Sequence, residues 1–156
     1  MAVPKKLKQM LEEAGVSYKT TKHPEAFTAQ EVAAAEHVPG KAMAKVVIVL
    51  ADKMPVMAVL PASYRVNFDK LKALVGAKKV RLASEDEFAE LFPESEIGAM
   101  PPFGGPEDMP IYSDRVLEED DKITFNAGTH TETVTIAYAD YTRLAHPTVA
   151  DFAEHV

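Results

Sequence analysis

The sequence predicts a single α+β (mixed α/β) domain, and three observations predict it. The chain has 156 residues, a size that builds one core. Several segments space their apolar residues at three and four, as helices do, while others are short β-branched runs, as strands are. Neighbouring strand segments are joined by short turns, which favours a largely antiparallel or mixed sheet.

Lys5 to Ala14 carries Leu7, Met10, Leu11 and Ala14 on one helical face, and Gly15 is placed to end it. Ser17 to Lys22 reads as a short strand closed by His23-Pro24. Thr28 to Glu31 fits a capping box, opening an alanine-rich helix that stops near Val38-Pro39-Gly40. Lys45 to Ala51 is apolar after its first residue, as a central buried strand is. Asp52 to Pro55 turns the chain into Val56 to Leu60, giving a hairpin. Asn67 can cap a helix with Phe68, Leu71, Leu74 and Val75 on its apolar side, ended by Gly76. Lys79 to Leu82 is a short strand. Ser84 to Glu87 is a second capping box, and its helix cannot pass Pro93.

From Pro93 to Pro110 the chain holds five prolines and three glycines, and irregular segments of that length inside a domain are usually functional or disordered. Ile111 to Ser113, Ile123 to Asn126 and Thr133 to Ala137 read as strands, the last two joined by the turn Asn126 to His130. Tyr141 to His155 is expected to be a short helical cap broken at His146-Pro147.

Composition narrows the chemistry. With no cysteine there is no disulfide, no thiol nucleophile and no thiolate zinc site. No two of the five histidines stand at the helical i, i+4 spacing of a zinc site, so no metal is expected. No serine lies in a Gly-x-Ser-x-Gly elbow, and Phe103-Gly104-Gly105-Pro106 lacks the lysine of a phosphate loop. The longest apolar run, Val46 to Ala51, is far short of the roughly 20 residues that cross a bilayer. A polar helix follows the basic N-terminal residues where a signal sequence would have an apolar core, so the cytoplasm is the expected location.

The net charge of −7 is unevenly spread. Residues 1–82 hold 14 Lys or Arg against 7 Asp or Glu, and residues 83–156 hold 3 against 17. A basic half permits a polyanionic partner without demanding one, since two solvated faces of opposite sign would look the same.

Two features remain. Lys45 opens the buried strand after Gly40-Lys-Ala-Met-Ala44, where its ammonium could reach from the sheet end into a cleft or simply stand in water. Gly98-Ala99-Met100-Pro101-Pro102 combines a glycine, which lets a ligand approach the backbone, with paired prolines that hold the loop's shape.

Ala44-Lys45-Val46-Val47-Ile48-Val49, Gly98-Ala99-Met100-Pro101-Pro102 with Phe103-Gly104, and Asn126-Ala-Gly128-Thr-His130 occur in that order. In this combination the chain, from about His23 to Phe152, resembles the YbaK / prolyl-tRNA synthetase-associated editing domain family. The resemblance implies a single domain over residues 1–156, with a mixed β-barrel-like sheet and flanking helices. It implies hydrolysis in trans of mischarged aminoacyl-tRNA, with alanine or cysteine on prolyl-tRNA as the first substrates to expect, and no cofactor. It implies a catalytic Lys45 and substrate placement by Gly98, Ala99, Met100, Pro101 and Pro102; Gly128 and His130 are added as substrate-binding candidates from their turn near the last strand pair, where His130 could face the cleft or be structural or solvated. Its partners would be the acceptor end of a tRNA and an aminoacyl-tRNA synthetase or elongation factor, met by a monomer. Pro101 departs from a single-proline loop; it removes an amide donor and is expected to narrow the choice of amino acid. Met43, Met57, Met100 and Phe103 are candidate pocket walls, although core packing is the more usual role for any one of them. The alternative is a non-catalytic tRNA- or protein-binding module of the same fold, or a hydrolase of free small esters.

Overall fold

A computed structural model describes residues 5–22, 43–93, 95, 99–103, 109–129 and 131–155. The capping box at Thr28 and the alanine-rich helix after it lie outside the described residues, as do Gly98 and His130.

The chain opens with helix α1 (Lys5–Glu13), whose Leu7 and Leu11 are buried. Gly15 adopts a φ of 70°, the amide of Val16 donates to the Leu11 carbonyl, and that of Gly15 to Glu12. This is a Schellman end, in which the left-handed residue turns the chain so that otherwise unpaired carbonyls are satisfied. A Cβ at Gly15 would meet nothing within 4 Å, so only backbone strain opposes a side chain there. Gly15→Ala is expected to cost about 1 kcal/mol in urea denaturation; an unchanged midpoint would mean that the helix end relaxes freely.

Strand β1 (Lys19–Lys22) is followed, after the undescribed stretch, by β2 (Ala44–Ala51) and β3 (Met54–Pro61). These last two form the expected antiparallel hairpin, paired in full from Ala44 with Pro61 to Ala51 with Met54. The turn is therefore only Asp52-Lys53, and Pro55 belongs to the strand rather than to the turn. Asp52 takes a φ of 58° and its carboxylate accepts the amides of Lys78 and Lys79, which ties the turn to the chain just before the strand that starts at Val80.

Strand β4 (Tyr64–Val66), not foreseen in the sequence, leads to helix α2 (Phe68–Val75). Asn67 Oδ1 accepts the Lys70 amide at its start, and Gly76 closes it at a φ of 71°. Strand β5 (Val80–Leu82) and helix α3 (Glu85–Leu91) follow, the latter opened by the reciprocal Ser84–Glu87 capping box. The Arg81 guanidinium, forked onto Glu87 at 2.8 and 3.0 Å, and the Ser84 amide hold the Glu87 carboxyl down at about 2.

Strand β6 (Ile111–Asp114), a 3-10 turn (Arg115–Glu119), and strands β7 (Lys122–Asn126) and β8 (Glu132–Ala137) complete the middle of the fold. The tail differs from expectation. Helix α4 (Tyr138–Ala145) ends at His146, whose φ is 49°, and then two strands appear, β9 (Thr148–Ala150) and β10 (Ala153–His155). Pro147 ends the helix as the sequence suggested, but the residues beyond it find partners in distant strands.

The sheet is mixed. A five-stranded sheet has the order β5-β2-β3-β6-β9, with β3–β6 and β6–β9 parallel and the rest antiparallel. A three-stranded sheet, β1-β8-β7, is antiparallel, and β10 pairs with β4. One parallel bridge, Met43 to Thr124, joins the start of β2 to β7, so the barrel-like expectation takes the form of distinct sheets meeting at a seam.

Alternation along β2 and β3 gives each face of this hairpin its own core. Ala44, Ile48, Met57 and Val59 meet α1, α3, β7 and β8 on one side. Val49, Val56, Ala58 and Leu60 meet Leu71 of α2 and Phe152 on the other.

Candidate active site

Lys45 is the second residue of β2, level with Leu60 of β3. Strand alternation puts it on the face of Val47 and Val49, the side that α2 covers further along. Its side chain is half-buried, and among the described residues no carboxylate or hydrogen-bond acceptor pairs with it. Burial therefore acts unopposed and pushes its pKa below the ordinary lysine range. An unpaired, partly desolvated ammonium is a strong electrostatic partner for an incoming carbonyl or carboxylate.

The chain beside it is fixed at the seam. The Met43 carbonyl accepts the Ala62 amide at 2.7 Å, and Met43 bridges to Thr124. Two residues beyond this bridge, along chains that run parallel, come Lys45 and Asn126. Asn126 is buried and its Oδ1 has no hydrogen-bond partner among the described residues. An orphaned amide oxygen in the interior is costly, and such groups are kept where a ligand or water can meet them.

The hairpin β7–β8 separates two chemistries. Ile123, Phe125, Val134 and Ile136 fill the core on one face. On the other, Thr124 is paired with Thr135 and Asn126 with Thr133, and the hydroxyls of Thr124 and Thr135 share a 2.8 Å hydrogen bond. This polar face was missed as a site candidate in the sequence. Its signal is the alternation of Thr or Asn with apolar residues along both strands, at positions of which Thr124, Asn126 and Thr133 prove buried.

The turn after β7 and the proline loop come together in the fold. The Gly128 amide donates to the Ala99 carbonyl at 2.8 Å. Gly128 holds a φ of 94°, a conformation that a side chain would strain, so glycine is required for this approach. Ala99, Met100 and Pro102 are buried and Pro101 is half-buried. Met57 and Met100 join the apolar core, so two candidate walls serve as packing.

Phe103 anchors the loop's far end. Its ring meets Phe125 and Tyr141 edge-on, each at 5.5 Å between centroids. Phe103→Ala is expected to remove both contacts and lower stability by about 2 kcal/mol in urea denaturation. An unchanged midpoint would show that the loop is held without the ring.

Among the described residues no three His, Asp or Glu side chains gather as a metal site, and no helix is long and apolar enough to cross a membrane. The described residues offer an ammonium, buried amide and hydroxyl groups, and the backbone of a glycine turn against a proline loop.

Residues 23–144 match the model of the aminoacyl-tRNA editing domain. The chain belongs to that family. This editing domain is similar to the multifunctional Ser/Thr-tRNA deacylase ProXp-y of Escherichia coli K12, at 35 % identity over 98 residues. That stretch is 62 % of this chain but 58 % of the relative's own length. It is also similar to part of the proline–tRNA ligase of Latilactobacillus sakei, at 32 % identity over 94 residues, which are 60 % of this chain and 16 % of the ligase. In three dimensions it superposes on a candidate trans-editing enzyme for prolyl-tRNA synthetase with a TM-score of 0.84 at 25 % identity. The superposition covers 95 % of this chain and 94 % of that one.

Proposed function

We propose that this chain is a trans-acting deacylase that hydrolyses the ester between a wrong amino acid and the terminal ribose of its tRNA. The observation that carries the reading is Lys45 at the opening of the central strand, half-buried and unpaired among the described residues, in a domain of the editing family.

An aminoacyl ester is already activated, so the site needs placement and charge stabilisation more than a strong nucleophile. The Lys45 ammonium holds the ester carbonyl and stabilises the oxyanion that develops when water adds to its carbon. The bond to the ribose oxygen then breaks, that oxygen takes up the proton released by the water, and the products are a free amino acid and an uncharged tRNA. The loop from Gly98 to Pro102 and the turn at Gly128 and His130 flank the aminoacyl group. Size sets selectivity, since a small pocket admits an amino acid smaller than the cognate one and shuts out the rest.

Alanine and cysteine on prolyl-tRNA are the substrates we place first. The name of the E. coli relative adds serine and threonine to the panel. The test is deacylation of a full set of mischarged tRNAs by the purified chain and by Lys45→Ala. Turnover by the wild type, lost in the variant, supports the reading. No turnover of any member by folded protein overturns it in favour of a tRNA-binding module without catalysis.

A further inference from the structure

The far end of β2 from Lys45 carries a second feature that hydrolysis does not use. Between α2 and β5 lies a groove of about 400 Å³. Lys72 of α2 stands on one side, and Lys78, Lys79 and Arg81 on the other. Two carboxylates share the lining, Asp52 and Asp69. Asp52 is already engaged by the amides of Lys78 and Lys79, and Arg81 by Glu87. The ammonium groups of Lys72, Lys78 and Lys79 are exposed and form no ion pair with a described residue. Asp52 thus fixes the backbone that presents two adjacent lysines while taking up neither of their charges. Phe68 lies exposed in the same groove and offers an apolar face to a sugar or base.

Position matters as much as charge. From Lys45 to Ala51, the residue before Asp52, is six steps along β2, about 20 Å at 3.3 Å per residue. The face of β2 that bears Lys45 is also the face on which α2 packs through Leu71. The single-stranded end of a tRNA is long enough to span such a distance, which would leave the first paired phosphates over the groove.

We propose that the groove between α2 and β5 is the docking surface for the phosphate backbone of the tRNA acceptor stem, with Lys72, Lys78 and Lys79 as its contacts. This rests on the deacylase reading for its choice of RNA, but it is tested separately from it. The contacts are to phosphate, so they set affinity and register and are indifferent to base sequence.

The experiment compares the wild type with the triple variant Lys72→Ala, Lys78→Ala, Lys79→Ala, and with a control that removes Lys8, Lys19 and Lys22 from another part of the surface. The groove variant keeps the backbone amides that Asp52 accepts. Binding of uncharged tRNA is followed by fluorescence anisotropy over a series of salt concentrations. The groove variant is expected to bind at least about tenfold more weakly, with a log–log salt slope reduced by about 2 to 3, as loss of three phosphate contacts requires. The control is expected to stay within about threefold of wild type. A second readout compares kcat/KM on full aminoacyl-tRNA and on the same amino acid esterified to a CCA trinucleotide. The variant is expected to lose efficiency on the first, through KM, and none on the second.

Wild-type affinity and slope in the groove variant, or an equal loss in the control, would overturn the proposal. So would an equal loss on both substrates, which would place the lysines in folding or catalysis. Groove-dependent binding without hydrolysis of any substrate would sustain the docking surface while refuting the deacylase. Binding of acidic proteins but not of tRNA would overturn it in favour of a protein partner.

Discussion

Lys45→Ala is expected to lower the rate of aminoacyl-tRNA deacylation by about 10²–10³-fold, mostly in kcat, because it removes a donor whose pull grows as the oxyanion forms. The same site predicts a second effect of opposite sign. Burial holds the folded-state pKa of Lys45 below its unfolded value, so at neutral pH the charged form is disfavoured by folding. Lys45→Met keeps the aliphatic stem, removes the charge, and is expected to raise the melting temperature while abolishing activity. The pH dependence follows from the same shift. Between the lowered folded pKa and the ordinary lysine value, the unfolded chain binds more protons than the native one, so the contribution of Lys45 to stability rises with pH across that window. The rise is expected in the wild type and absent in Lys45→Met, and activity corrected for spontaneous hydrolysis should fall over the same range as the ammonium is lost. An inactive Lys45→Met with unchanged or lower stability would contradict the burial of the charge. A fully active one would remove Lys45 from the mechanism.

Asp114→Ala is expected to be the most damaging single change to the fold away from the site. Asp114 ends β6 and is buried. Its Oδ1 accepts the amides of Phe152 and Ala153, each at 3.0 Å, and its Oδ2 accepts that of Val116 at 3.1 Å. One carboxylate thus joins the central sheet, the turn that follows it and the link between β9 and β10. Its loss leaves donors near a buried segment without partners, at a cost of about 3–4 kcal/mol. For a chain of this size that is a fall of about 10 °C in melting temperature. Asp114→Asn keeps one acceptor oxygen and should lose only part of this. A melting temperature within 2–3 °C of wild type for Asp114→Ala, on the order of 1 kcal/mol, would mean that water replaces the carboxylate.

The elements that the sequence revealed are those whose determinants are local. Asn67 and Ser84 cap their helices through atoms three residues away, and Gly15 and Gly76 end theirs by their own φ. The β2–β3 hairpin is legible because the two strands are adjacent and, Lys45 apart, apolar. By contrast β4, β9 and β10 are three residues each and carry no periodicity; they exist because Tyr64 to Val66 meets Ala153 to His155, and Tyr112 to Asp114 meets Thr148 to Ala150. No window along the chain contains both partners of such a pair. The site divides in the same way. Lys45 and the segments around Ala99 and Gly128 stand out as motifs in the sequence, whereas the contact between those two segments and the burial of Asn126 beside the seam depend on β2, β7 and β8 assembling. The roles of Lys45, the Gly98–Pro102 loop, Gly128 and His130 belong to the proposal.

Phe152, wholly buried against Leu60 and Leu71, has a consequence for how the molecule forms. Helix α2 and the hairpin it covers leave the ribosome long before residue 152 does, so their shared apolar face must wait, incompletely covered, for a late arrival. The parallel pairing of β6 with β9 imposes the same delay on the sheet edge. Pairings of this kind close long loops and fold slowly, and they prolong exposure of strand edges. The nascent chain should therefore depend on chaperones more than its modest length suggests.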